Sequence, residues 1–152
     1  MAERVACARR YETSLDRAGL ALGAGALVGG VFACILTGIG SGFAPLTLFV
    51  GFVIGMVITA MAAVGIGGPL WLILHVAGRR GPFAAALTGA VAGFALFLGG
   101  QTYGFGLFDA PLTDQRTMLF RWLSAIAVSL ILALVSALIG WTMWRVAYRR
   151  IF

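Results

Sequence analysis

Long uncharged apolar segments alternate along the chain with short segments that carry all of the charged side chains. The uncharged segments cover residues 18–78, 81–108 and 122–144, which are 61, 28 and 23 residues long. A helix needs about 20 apolar residues to cross a hydrocarbon core about 30 Å thick. The second and third segments therefore each predict one membrane span. The first must turn back on itself, because a single helix of that length would measure about 92 Å at ~1.5 Å per residue.

The turn in the first segment is predicted at residues 40–45, where Gly40, Gly42 and Pro45 interrupt the apolar run. Glycine and proline mark helix ends, and proline is well tolerated at the start of a helix. This break gives four spans, at about residues 18–40, 46–76, 82–104 and 121–144. A second break at residues 65–69 would give five spans.

The distribution of arginine decides between the two counts, because basic residues concentrate in cytoplasmic loops. With four spans, nine of the 11 basic residues lie on the side of the termini and two, Arg116 and Arg121, lie on the other side. With five spans the division is about even. We therefore predict four spans with both termini cytoplasmic, and a kink at Pro69 within the second helix.

The predicted fold is all-α: a single membrane domain, residues 1–152, that forms an integral four-helix bundle. Residues 1–17 form a cytoplasmic tail, for which an interfacial amphipathic helix and a short irregular segment are equal alternatives. The sequence around Cys34 loosely matches a lipoprotein cleavage site, but apolar residues continue beyond it. We predict a retained first helix, with cleavage as the alternative.

Small side chains recur on one face of each predicted helix. Helices in a membrane associate through close packing, which small residues permit. We expect this packing role for Gly19, Gly23, Gly30, Gly51, Gly55, Gly89, Gly93, Ser129, Ala133, Ser136 and Gly140. The opposite face of the last helix, which includes Ile131 and Ile139, is predicted to contact lipid.

Aromatic residues with a polar atom lie close to the predicted span ends. Tryptophan and tyrosine favour headgroup depth, where a ring and a polar group are both accommodated. We expect interface anchors at Trp71, Trp122, Trp141, Trp144 and Tyr148.

The composition agrees with a membrane protein. Only 11% of the residues are charged, 61% are hydrophobic and the mean hydropathy is +1.02. A soluble domain carries roughly 25% charged residues. The 11 basic residues are all arginine, since the chain has no lysine, and with five acidic residues the net charge is +6. We expect the lipid bilayer and other membrane subunits as partners, and no nucleic acid.

Residues that could support catalysis are few and widely separated. His75 is the only histidine, Cys7 and Cys34 are the only cysteines, and no charged residue lies within a predicted span. We therefore predict no catalytic residue, no metal site and no cofactor. The missing membrane-embedded charge also argues against proton-coupled transport. Whether Cys7 is lipidated stays open. The most polar outer patch contains Gln101, Tyr103 and Asp109.

The glycine- and alanine-rich spans with arginine-only loops are similar to those of many small inner-membrane proteins of bacteria, and no motif indicates a family. We expect a multi-pass protein of the bacterial inner membrane that is not an enzyme and acts as an accessory, assembly or structural subunit of a complex. The alternative is a component of an oligomeric passive channel or small-solute transporter. Lipid chemistry near His75 and Arg79 is a third, weaker hypothesis.

Overall fold

The computed structural model describes residues 11–12, 14–79, 81–104 and 114–150, and these are almost entirely helical. The α-helices are α1 Leu15–Ser41, α2 Pro45–Ala62, α3 Gly68–Val76, α4 Pro82–Gly99 and α5 Gln115–Ala147. Two π-helical segments, Ala63–Gly67 and Gly100–Gly104, follow α2 and α4. The described strands are β1 Tyr11–Glu12 and β2 Arg149–Arg150.

Four helical segments within the described residues are long and apolar enough to cross a membrane. They are Leu15–Ser41, Pro45–Val76, Pro82–Gly104 and Gln115–Ala147. The prediction of a helical chain with four membrane-length helices is confirmed. Each segment contains the corresponding predicted span, and α5, with 33 residues, extends well beyond residues 121–144 on both sides.

The ends of α1 follow from local sequence. Ser14 precedes the helix in an extended conformation, and its side-chain oxygen accepts a hydrogen bond from the Arg17 amide. Such a cap satisfies one of the four unpaired amides of a helix start. Gly42 ends the helix in the left-handed conformation, which glycine adopts without steric cost. Phe43 also has a positive φ, and its ring lies against Gly38, so the turn into α2 is tight.

The second helical segment departs from α-helical geometry before Pro69 and not at Pro69 itself. The π-helical segment Ala63–Gly67 comes first, and the amide of Gly68 donates to the carbonyl of Ala63, five residues back. Pro69 then lies in the first turn of α3, where its missing amide costs little. The predicted kink is therefore replaced by a π-helical segment that ends just before the proline.

Three extensive interfaces hold the helices together: α1 packs against α2, α4 packs against α5, and α1 packs against α5. None of these interfaces joins α2 to α4. The two longest helices therefore form the central pair, with α2 on one side and α4 on the other. Most large apolar side chains of all four spans point away from the protein and are exposed, as expected for helices surrounded by lipid.

A two-stranded antiparallel ladder joins the two ends of the described chain. Tyr11 pairs with Arg150, and Glu12 pairs with Arg149. The sequence analysis did not predict this ladder. The segment before α1 is extended at Tyr11 and Glu12, so an interfacial helix through residue 17 is wrong for these positions. Residues 1–10, and with them Cys7, lie outside the described residues.

Candidate functional site

The interface between α1 and α2 pairs glycine on one helix with a larger side chain on the other. A Cβ atom on Gly51 would overlap the side chain of Thr37, and one on Gly55 would overlap Ala33. One turn further on, Gly29 faces Thr59 in the same way. The two backbones therefore approach more closely than any larger residue would allow.

The interface between α4 and α5 uses the same principle. Gly89 and Gly93 both lie against Ser136, and Gly140 lies against the backbone of Ala85. Ser129 is fully buried, Ala133 is 6% exposed, and the hydroxyl of Ser136 donates to the carbonyl of Leu132. The structure thus brings together all of the packing residues that the sequence indicated on these two helices.

The interface between α1 and α5 was missed. Gly25 lies against Met143 and Ile139, so Ile139 faces α1 and not only lipid as predicted. The reason is that α5 is central and is covered on two sides, whereas the sequence analysis assigned it one packing face. Ala21 and Gly25 are small residues four positions apart on the face of α1 that meets α5, and this spacing is the signal that could have identified the contact.

Two of the predicted packing residues, Gly19 and Gly23, do not lie in any of these interfaces. A Cβ atom at either position would meet nothing within 4 Å, and both residues are exposed. Contacts within the described chain therefore do not involve these two residues, and their packing role stays a prediction. On the N-terminal half of α1, the contacting face is formed by Ala21 and Gly25, which turn towards α5. We call Gly19, Gly23 and the exposed Leu20 and Leu27 beside them the open face of α1.

An aromatic cluster connects α3 with the end of α5, at the end of the molecule where β1 and β2 pair. The indole nitrogen of Trp71 donates a hydrogen bond of 2.9 Å to the Tyr148 hydroxyl, and His75 Nδ1 lies 3.4 Å from the same oxygen. The rings of Trp71 and His75 are 5.2 Å apart. Tyr148 is only 7% exposed and packs with Ala21 and Ala147. It is therefore buried within the described chain and connects two helical segments, while its predicted place at headgroup depth stays a prediction.

The other predicted anchors keep a surface position. Trp71 and Trp141 are each 39% exposed, and the guanidinium of Arg145 lies 5.3 Å from the centre of the Trp141 ring. A cation over an indole face is attracted by the ring quadrupole. Trp144 and Trp122 are half-buried near opposite ends of α5, and Trp144 packs against the Ala21–Tyr148 cluster.

The polar patch at the other end of the molecule becomes a groove between α4 and α5. Gln101 lies in the π-helical segment Gly100–Gly104, and its amide nitrogen is 3.5 Å from the hydroxyl of buried Ser129. The open groove beside it has a volume of about 700 Å³, and Arg121 and Thr117 lie at its polar end. Tyr103 is exposed, and Asp109 lies outside the described residues.

The described side chains offer little reaction chemistry. They contain no group of three or more His, Cys, Asp or Glu residues able to hold a metal ion. Cys34 is a half-buried free thiol within α1. The contacts recorded for His75 are the Tyr148 hydroxyl and the Trp71 ring, both in the aromatic cluster. Neither is an acid that could orient the imidazole as a general base.

The described residues form an all-helical chain with four helices long and apolar enough to span a membrane, which indicates a multi-pass membrane protein as its class. Comparisons with known protein families, with characterised proteins and with solved structures gave no match. A more specific role must therefore be argued from the contacts that the chain makes and from the surfaces that it leaves open.

Proposed function

We propose that this chain is a non-catalytic accessory, assembly or structural subunit of a complex in a bacterial inner membrane. The observation that carries the proposal is the open face of α1. Gly19 and Gly23 are four residues apart on α1, and among the described residues nothing lies within 4 Å of a Cβ atom at either position. The α1 glycines that are closely covered are Gly25, Gly29, Gly30 and Gly38. A second helix could lie there at the same short distance that α2 adopts on the outer half of α1.

The physical argument concerns what holds helices together in lipid. Hydrocarbon chains solvate leucine as well as another helix does, so association depends on close backbone approach and good packing. Gly19 and Gly23 permit that approach, and Leu20 and Leu27 beside them would contact a partner on either side of the line of closest approach. Leu20 is 66% exposed and Leu27 is 50% exposed, so both are available for such contacts.

The positions of the potentially reactive groups support a non-catalytic role. His75 contributes to a cluster that connects two spans, and the hydroxyls of Thr37, Thr88 and Ser136 donate to carbonyls one turn earlier on their own helices. Such bonds use the hydroxyl hydrogen locally within the helix. The groove at the outer end is lined by two helices only, which is the geometry of a surface cleft and not of a pore.

Native mass spectrometry of the protein extracted from its own membranes in mild detergent tests this proposal. We expect a complex with another membrane subunit for the wild type, and loss of that subunit when Gly19→Leu and Gly23→Leu are combined. Gly40→Leu is the matched control, because Gly40 is also an exposed α1 glycine with nothing within 4 Å but lies at the other end of the helix.

The outcomes separate the two functions. A lone monomer, or a complex that survives the double substitution, contradicts the accessory role. Solute flux through liposomes that contain only this protein, together with an assembly made of copies of this chain, would instead favour the passive channel.

A further inference from the structure

The groove between α4 and α5 is polar at one end and apolar along the rest of its length. Thr117 and Arg121 lie in the first two turns of α5, whereas Val128 and Leu132 follow deeper along the same helix and Phe97 faces them from α4. The eleven positions from Arg121 to Leu132 correspond to a length of ~16 Å. That length is about half of a hydrocarbon core that is ~30 Å thick, so the groove extends through one leaflet.

Arg121 stands at the boundary between charged and uncharged sequence. The 23 residues that follow it carry no charge, and Trp122 next to it is a residue type that favours headgroup depth. Among the described residues, neither Asp16 nor Asp114 forms an ion pair with Arg121. A guanidinium at the edge of hydrocarbon requires an anion or water for its five N–H donors. The anion that is present at this depth in every leaflet is a lipid phosphate.

We propose that the groove binds one anionic phospholipid, with its phosphate on the Arg121 guanidinium and one acyl chain along Phe97, Val128 and Leu132. Guanidinium and phosphate form charge-assisted, often bidentate hydrogen bonds. Ser124 lines the groove between the charged end and the apolar part, while Gln101 lies deeper, beside Ser129. The Ser124 hydroxyl is a donor where an ester carbonyl of the lipid would be, since the esters join the headgroup to the chains.

This inference is independent of the proposed accessory role. The groove lies between α4 and α5, whereas the open face lies on α1. Loss of the lipid site would therefore leave the partner complex intact, and loss of the complex would leave the lipid site intact.

Lipid titration of the delipidated full-length protein in detergent, followed by native mass spectrometry, tests the site. The probes are palmitoyl-oleoyl phosphatidylglycerol, the diacylglycerol with the same chains, and inorganic phosphate. We expect saturable binding of phosphatidylglycerol, roughly tenfold weaker binding of diacylglycerol, as for the loss of one charge-assisted hydrogen bond, and no competition by inorganic phosphate. Equal binding of the two lipids would contradict the proposal, because it would show that the groove does not recognise the phosphate. Competition by inorganic phosphate would also contradict it, because it would show that the groove does not recognise the acyl chain.

Two pairs of variants locate the site. Arg121→Gln should weaken phosphatidylglycerol binding roughly tenfold, while Arg116→Gln, one and a half turns earlier and outside the groove lining, should not. Val128→Trp should block the apolar part, whereas Ile131→Trp should not, because Ile131 is exposed elsewhere on the same helix. Equal losses within either pair would overturn the assignment, because general electrostatic or surface effects would then explain the binding.

Discussion

At the scale of single residues, the helix pair α1–α2 is fixed by side chains that occupy the space above a glycine. Thr37 covers Gly51, Ala33 covers Gly55, and Thr59 covers Gly29. Both helices contribute glycines, so each helix both provides a space and fills one. A carbon atom added at any of these three glycines would overlap the side chain that faces it.

Substitution of Gly55 by alanine should therefore destabilise the protein. The new Cβ atom would overlap Ala33 and approach the backbone of Gly29 and Gly30, none of which can move without a shift of the whole helix. Overpacking of this kind costs about 1–3 kcal/mol in the free energy of unfolding. Denaturation with sodium dodecyl sulfate, followed by circular dichroism, measures that loss. Gly23→Ala is the control, and an equal loss in both variants would contradict the interface.

The sequence predicted which positions on each helix carry small residues better than it predicted which helix those positions face. Gly30, Gly51 and Gly55 face a neighbouring helix as expected, while Gly19 and Gly23 on the same predicted stripe do not. The N-terminal half of α1 has small residues on several sides. Periodicity alone therefore cannot show which of these sides contacts another helix. The choice depends on where α5 lies, which is a property of the whole assembly.

At the scale of elements, the π-helical segment Ala63–Gly67 separates two parts of the second span that have different partners. Before the segment, α2 packs against α1; after it, Trp71 and His75 of α3 contact Tyr148 at the end of α5. A π-helical turn changes the direction in which all later side chains point, and such turns are frequent at functional positions. The segment thus aims the aromatic residues of α3 at α5.

Deletion of Gly65 should remove this redirection. One residue fewer rotates α3 by about 100° relative to α2, which carries Trp71 away from Tyr148. A double-mutant cycle with Trp71→Phe and Tyr148→Phe measures the contact, for which we expect a coupling of about 0.5–1 kcal/mol in the intact chain. The coupling should vanish after the deletion.

A distant pair controls this measurement. Trp71→Phe and Trp122→Phe lie near opposite ends of the molecule and should be additive in both backgrounds. Persistence of the Trp71–Tyr148 coupling after removal of Gly65 would mean that the π-helical segment does not orient α3.

The sequence indicated an irregularity in this region but not its form. The glycines of residues 65–68 and Pro69 suggested a proline kink, whereas the structure contains a π-helical segment followed by a regular helix start. A proline kink and a π-helical segment both accommodate a residue without an amide hydrogen. The π-helical segment also directs α3 towards the end of α5, and the local sequence gives no information on that contact. For the same reason, the buried position of Tyr148 could not be derived from its place near a span end.

At the scale of the whole molecule, the antiparallel helices place the start of α1, the turn between α3 and α4, and the end of α5 at one end. The strand pairing and the Trp71–Tyr148 hydrogen bond both require this arrangement. Of the described arginines, those at residues 17, 79, 145, 149 and 150 belong to that end, and Arg116 and Arg121 belong to the other. The charge pattern thus predicted which of the described segments lie together, as expected when basic residues concentrate on one side of a membrane.

Cysteine labelling in membrane vesicles tests this topology. In a background that carries Cys7→Ser and Cys34→Ala, Asp16→Cys and Arg79→Cys should react from one side of the membrane, the cytoplasmic side. Ala44→Cys and Arg116→Cys should react from the other, since they adjoin the opposite helix ends. Labelling of positions 16 and 79 from opposite sides would exclude four crossings.

The pairing of β1 with β2 also has a consequence for the order of biosynthesis. β1 is translated before the first helix, and β2 is translated after the last one. The ribosome must therefore synthesise all four helical segments before the ladder can form, and until then Tyr11 and Glu12 have no β2 strand to pair with. A chain truncated before residue 149 would keep the four helical segments but would lack the ladder that joins the two ends of the described chain.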